Sequence, residues 1–534
     1  MFQHNYWFNI AYILISLLGV HTLQLDINSR DSICAAAKEV QEGMWNYYNG
    51  FHYGGTIGTF MPPNYWWNAG EAWGGLVDYY TYCDNQNETL RQWIFDGMYS
   101  QRGEENNYVP SNQSMVEGND DQGVFGMALM EAVEQNFQDP EDLSWIELTQ
   151  ALFNSMRVRW DPCTCGGGLR WQIFEWNVGY DYKSTIANGC LFHLAARLAR
   201  YSDNKADYLE VAEKVWNWMV NVGYITVEDD GTTIQIYDGA HVEENCTDFT
   251  TLKWSSNYGT FLSGCAYLYN LTGDEVWKSR TLEILEASKY FFNGSIMQET
   301  TCATRGVCNY DQRSFRSIFA RFLGLTMKLV PETSDTILPL LEASALGAAQ
   351  SCSGGTDGIT CGENWAYGGW DGVYGLGEQS SALDVLNSLL VRAPLTVNTG
   401  GSTRVNYSEE AGTENNPAIK PPEGYVLTET TCNTYSSSST VEESSSSETS
   451  SPTTSKSSSS SSVTSTTSAK KSSSSNVSAS TARFVNSTLT TSDPMSTTSE
   501  ERNQGTETSQ RGKSCAHRWN SNMYKLLVIA MAQI

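Results

Sequence analysis

The chain has 534 residues, a net charge of −27 and a pI of about 4.6. Nucleic acids and anionic membranes are excluded as direct partners, because either polyanion would repel it. The length suits one large domain with appendages, and 17 Trp, 28 Tyr and 18 Phe supply both a large core and flat faces on which sugar rings pack.

Residues 10–20 form an apolar run too short to span a bilayer comfortably, although no Lys or Arg precedes it. The run predicts a signal peptide over 1–25. Between 26 and 395, apolar spacing and breakers predict twelve helices, at 31–48, 68–83, 87–101, 120–137, 141–159, 184–201, 204–222, 255–272, 274–293, 311–329, 333–351 and 378–391. Residues 227–237 predict one hairpin turning at Asp230-Gly231. Alternate helices are poor in charge and rich in Gly, Ala, Ser or Cys, as in Gly70–Gly75, Thr185–Cys190 and Gly259–Ala266. The helices between them are amphipathic. Small residues let helices approach closely, so the first set predicts an inner ring and the second an outer ring. The fold class is therefore all-α, an (α/α)6 barrel.

Inner helices of such a barrel start at one face, so the segments entering them line one pocket: Tyr65–Asn68, Asn119–Asp121, Tyr180–Lys183, Lys253–Tyr258, Asn309–Arg313 and Trp370–Tyr374. All six carry aromatic residues, carboxylates or amides. Glu117-Gly118-Asn119-Asp120-Asp121-Gln122-Gly123 stands out, with two adjacent carboxylates where a loop becomes an apolar helix. Asn and Asp are also favoured helix caps, and the motif alone reads as one. Six chemically similar entries make the pair a catalytic candidate, since glycoside chemistry needs two carboxyl groups.

Thirteen cysteines and acceptor sequences at Asn87, Asn112, Asn245, Asn270, Asn293, Asn406, Asn476 and Asn486 indicate an oxidising, glycosylating route. The odd count leaves a thiol unpaired in a monomer; Cys302/Cys308 and Cys352/Cys361 are spaced to bridge, with connectivity open. Neither Cys163-Thr-Cys165 nor the six histidines have metal-ligand spacing, so no metal or other cofactor is expected. Nucleophile-elbow and phosphate-loop motifs are absent. Residues 396–512, Ser/Thr-rich from Ser436 to Gln510, predict a disordered, O-glycosylated stalk. Residues 513–534 end in a short apolar tail like a glycosylphosphatidylinositol (GPI) signal.

Tyr65–Trp73, Gly118–Gln122, Cys165–Gln172, Asn257–Gly259, Asp311–Phe315, Trp370–Gly372 and Gly377–Gln379 together resemble glycoside hydrolase family 76, the endo-α-1,6-mannanases, and in particular its fungal cell-wall branch. The resemblance implies retaining chemistry on α-1,6-linked mannose without a metal, with Asp120 as nucleophile and Asp121 as general acid/base. It also implies a GPI anchor, a cell-surface location and a role in wall assembly. Successive side chains on a helix point about 100° apart, which leaves two Asp carboxyls near the retaining separation.

Trp66, Trp67, Trp171, Trp254 and Trp370 are candidate sugar platforms. Asn119, Tyr182, Asn257, Tyr258, Asp311, Asp371 and Glu378 are candidate hydroxyl binders. The bland readings stand beside these: a Trp in the core, a turn at Trp370-Asp371-Gly372, a cap at Asp311. The expected substrate is α-1,6-mannan or the mannose core of a GPI glycan. A β-glucan acceptor would make the enzyme a transglycosidase, and membrane contact would come through the lipid alone. A mannan-binding wall protein without activity is the reading from another class; a polysaccharide lyase fits poorly, because the pocket lacks the cations that neutralise uronic acids.

Overall fold

The computed structural model describes residues 23–227, 233–391 and 419–427. The expected signal peptide, the stalk and tail, the acceptors Asn406, Asn476 and Asn486, and the Asp230-Gly231 turn lie outside these residues. So does all of the second compact unit, Thr440–Ile534; the first is Met1–Ser439.

Among the described residues, twelve long helices follow one another in pairs. They are α1 (Arg30–Met44) and α2 (Trp66–Cys83), α3 (Glu88–Tyr99) and α4 (Asn119–Glu134), and α5 (Trp145–Val158) and α6 (Thr185–Leu198). The chain continues with α7 (Lys205–Asn221) and α8 (Ser255–Thr272), α9 (Glu275–Ser288) and α10 (Tyr310–Leu329), and α11 (Ser334–Ser351) and α12 (Leu376–Ser388). The even-numbered helices pack each on the next, and α12 closes on α2, while the odd-numbered helices back them from outside. The result is the (α/α)6 barrel that the alternation predicts. Thirteen of the fourteen residues of α6 are buried against six of seventeen in α7, the difference between an enclosed helix and one with a solvent face.

Glycine sets the spacing of the inner ring. A Cβ on Gly70 of α2 would stand 3.0 Å from the Phe125 backbone nitrogen of α4, and one on Gly259 of α8 would stand 3.0 Å from Phe319 Cα of α10. Helix starts follow ordinary capping: Ser184 accepts the Ala187 N–H at α6, and Asn309 accepts the Gln312 N–H at α10. Several predicted ends run long, those of α1 and α9 the most. The chain leaves α1 at Met44 for a 3-10 turn over Trp45–Tyr47. It leaves α9 at Ser288 for a small hairpin, Phe292–Asn293 against Ile296–Met297, which turns at Gly294 with φ 63°.

The strands are short. Tyr182–Ser184 (β1), Ile225–Val227 (β2), Ile234–Ile236 (β3) and Gly239–His241 (β4) form two antiparallel pairs, β2 with β3 and β1 with β4. The first pair is the hairpin expected at 227–237, its strand starting two residues earlier.

Disulfides join Cys34 to Cys83, Cys165 to Cys246, Cys302 to Cys308 and Cys352 to Cys361; Cys163 is also disulfide-bonded. Cys190 and Cys265 are buried thiols. Inside the barrel Arg197 pairs with Glu131 and Glu134, and Arg321 pairs with Asp78 and Asp384. Among the described residues no helix is long and apolar enough to cross a membrane.

Candidate active site

The loop before α4 is held from two sides. Asn119 donates its backbone N–H to the Trp171 carbonyl (2.8 Å) and its side-chain N–H to the Arg170 carbonyl (3.0 Å), so the Arg170–Gln172 segment lies beside it as a partner strand. Gly118 is extended, and the Oδ2 of Asp121 accepts its N–H at 2.6 Å. Asp121 therefore does close the first turn of the helix, as the capping reading requires. Asp120 does something else: its Oδ2 accepts the indole N–H of Trp171 at 2.7 Å, and its Oδ1 accepts the Asp121 N–H at 3.1 Å.

The two carboxyls converge beside Gly118. A Cβ built there would meet Asp120 Oδ1 at 2.2 Å and Asp121 Oδ2 at 3.3 Å. Those oxygens are thus no more than about 5.5 Å apart, which is compatible with the close pair of a retaining enzyme and short of the wider gap an inverting enzyme leaves for water. Burial is the main cause that raises both acids above the ordinary aspartate range. For Asp120 the Trp171 and backbone hydrogen bonds partly offset burial; for Asp121 the neighbouring Asp120 charge adds to it. Asp120 is the first of the pair to ionise and Asp121 keeps its proton longer.

From Asp120 a chain of aromatic rings and carboxylates runs round the mouth. Trp171 meets the Tyr182 ring edge-on at 6.3 Å, and the Tyr182 hydroxyl donates to Asp238 Oδ2 at 2.8 Å. Asp238 is also hydrogen-bonded to half-buried Trp254. The Trp254 ring lies 5.7 Å from Phe315, which lies 6.3 Å from Trp67. The Trp67 indole donates to Asp311 Oδ1 at 3.1 Å, and the Asp311 charge raises both catalytic candidates. Asp311 is thus a pocket carboxylate, and Asn309 takes the capping role.

The remaining candidates divide. Trp370 stands 36% exposed, 5.8 Å from Tyr374. Asn257 is buried, with no hydrogen-bond partner for either side-chain amide atom. Four candidates have their rings or polar groups engaged by protein neighbours. Trp66 stacks on Phe125 at 4.1 Å and donates to Gln101 in the core, because one helical step turns it away from Trp67. Tyr258 is wholly buried, and its hydroxyl accepts the Ile236 N–H. Glu378 is buried in an ion pair with Arg313 at 2.5 Å. Asp371 accepts the N–H groups of Glu363, Asn364 and Val373, which makes it the turn residue of the bland reading. Among the glycosylation acceptors, Asn87, Asn112, Asn245, Asn270 and Asn293 are exposed, although both amide atoms of Asn270 are engaged, by Arg200 and the Leu329 carbonyl.

Two site residues escaped the sequence reading. Gly118 leaves room for both carboxyls, and its signal was its place before Asn119-Asp120. Asp238 lies between β3 and β4, far in sequence from every inner-helix start; Tyr237-Asp238-Gly239 marks a turn and nothing more.

A closed (α/α)6 ring with two adjacent carboxyls at its mouth and indoles around them defines a carbohydrate-active barrel enzyme. Residues 32–399 match the model for glycosyl hydrolase family 76, and the chain belongs to that family. It is 62% identical over 408 residues to the mannan endo-1,6-alpha-mannosidase DFG5 of Candida albicans, covering 76% of this chain and 90% of that one. It is 48% identical over 426 residues to the mannan endo-1,6-alpha-mannosidase DFG5 of Saccharomyces cerevisiae, covering 77% and 92%. The crystal structure of Dfg5 from Chaetomium thermophilum in complex with glucosamine superposes with a TM-score of 0.67 at 36% identity, covering 73% of this chain and 97% of that one.

Proposed function

We propose that this chain is a retaining glycosidase acting on α-1,6-linked mannose, through Asp120 and Asp121. The observation that carries the reading is the convergence of the two carboxyls beside Gly118; the names of the relatives supply the sugar and linkage. Asp120, ionised and held by Trp171, attacks the anomeric carbon. Asp121 gives its proton to the departing glycosidic oxygen, and the C–O bond breaks as the glycosyl–aspartate bond forms. Asp121, now a carboxylate, takes a proton from the incoming hydroxyl, whose oxygen displaces Asp120 and restores both acids.

That hydroxyl belongs to water in a hydrolase and to a sugar in a transglycosidase. We extend the proposal to a cell-surface enzyme of wall assembly, held by a lipid anchor, with α-mannan or the mannose core of a GPI glycan as donor and wall β-glucan as an acceptor. Disulfides and exposed glycosylation acceptors support the secretory route. Mass spectrometry of products from an α-1,6-mannooligosaccharide, with and without a β-glucan oligosaccharide, tests both parts. Shortened mannosides lost in Asp120→Asn and Asp121→Asn establish hydrolysis by this pair, and mannose–glucan chimeras establish transfer. Binding without any product leaves a mannan-binding protein instead.

A further inference from the structure

Behind the catalytic loop lies a second cavity, of about 290 Å³, lined by Asn119, Val158, Arg159, Arg170, Gln172, Ile173 and Tyr180. Side chains alternate along an extended segment, so Arg170 and Gln172 face this cavity while Trp171 faces the aspartates. No acidic residue lines it, which is unusual in a chain of net charge −27.

Its two guanidiniums are differently placed. Arg170 pairs with Asp161 at 2.9 Å and donates to the Tyr180 carbonyl at 3.0 Å, but Asp161 is shared with Lys183 at 3.3 Å. One carboxylate thus answers two cations. Arg159 donates to the neutral amide oxygens of Asn119 (2.8 Å) and Gln122, and among the described residues it forms no ion pair with a carboxylate. Glu117 is close enough to interact electrostatically with Arg159, yet neither of its buried oxygens has a hydrogen-bond partner, and burial raises its carboxyl well above the ordinary range, towards the neutral form. Burial also pulls the Arg159 guanidinium down to about 10, as expected of a cation whose counter-charge is missing.

We propose that this cavity binds a phosphate group, either free phosphate or a phosphate ester carried on a sugar. Arg159 and Arg170 each have more N–H groups than the partners named above engage, Gln172 adds an amide, no carboxylate lines the space, and guanidinium groups suit phosphate oxygens. The ligand sits one strand away from Asp120 and shares Asn119 as a wall, so it takes no part in bond cleavage.

Calorimetric titration of the full chain tests this with inorganic phosphate, mannose 6-phosphate and mannose. Both phosphates are expected to bind and mannose to bind no better in their presence. Tighter binding of the sugar phosphate identifies an ester as the ligand; equal binding identifies the free anion. Arg159→Gln should weaken phosphate binding at least about tenfold, the effect of losing one charge-assisted contact. Because Arg159 also steadies Asn119, Val158→Asp is the companion variant. Val158 is 45% exposed on the cavity wall, and a carboxylate there should abolish phosphate binding while hydrolysis of unsubstituted mannooligosaccharide continues. Absence of phosphate binding at millimolar concentrations, or binding that survives Val158→Asp, overturns the proposal and leaves the glycosidase reading untouched.

Discussion

Asp120 accepts an indole N–H that Asp121 does not, and this one bond distinguishes two neighbouring acids of the same type. Trp171→Phe keeps the ring and removes the donor. The bond lowers the Asp120 pKa, so its loss raises it, and the acidic limb of kcat/KM should move to higher pH, by up to about one unit. An unmoved limb would show that the bond does not set the ionisation. Asp120→Asn should cost about 10³-fold or more in kcat, since no nucleophile remains. The same substitution should stabilise the fold. Burial raises the folded-state pKa of Asp120, so above the ordinary aspartate pKa the unfolded chain gains by ionising and stability falls with rising pH. The neutral amide escapes that penalty, and its Tm should exceed wild type by a few degrees at pH 7 but not at pH 4. At this level the sequence was half legible. The acid pair and its helix start could be read, but the donor to Asp120 sits 51 positions away, and no local pattern tells Trp67 at the mouth from Trp66 in the core.

Helices were far more legible, because their periodicity is local. All twelve occur where apolar spacing places them, and the small-residue set is the inner set. The largest overruns fall at the ends of α1 and α9, where the chain takes a tight turn in place of another helical turn, and α5 starts four residues later than its pattern suggests. The small residues also carry a prediction. A Cβ on Gly123 of α4 would meet Cys190 Cβ of α6 at 2.3 Å, and backbone-borne atoms cannot swing aside. Gly123→Ala should therefore destabilise by about 1–3 kcal/mol, as overpacking does, measured by denaturant unfolding. Gly118→Ala differs, because its Cβ would meet the movable Asp120 carboxylate. It should lower kcat strongly with little loss of stability; equal losses in both would contradict the separation between a spacing glycine and a site glycine.

In the barrel as a whole, several acids share two guanidiniums. Burial is the main cause raising Glu71, Asp78, Glu131 and Asp384, with Arg197 and Arg321 as the opposing cations. Raised folded-state values mean that the native interior holds protons which the unfolded chain releases above about pH 4–5, so stability should decline from pH 5 to pH 8. Urea midpoints across that range check this, and a flat or rising curve would be the contrary result. This network was not legible beforehand: helix patterning marks its members as interior, but charge partners come from opposite sides of a ring whose closure is a property of all six pairs. The same closure bears on the chemistry. Six helices start at one mouth, and each brings about half a positive charge there from its aligned peptide dipoles. A sugar that gains positive charge on the way to its oxocarbenium-like transition state meets an unfavourable field. Asp120, Asp238 and Asp311 offset that field, and Asp121 joins them as it gives up its proton, so the mouth's acidity is partly a correction that the architecture itself makes necessary.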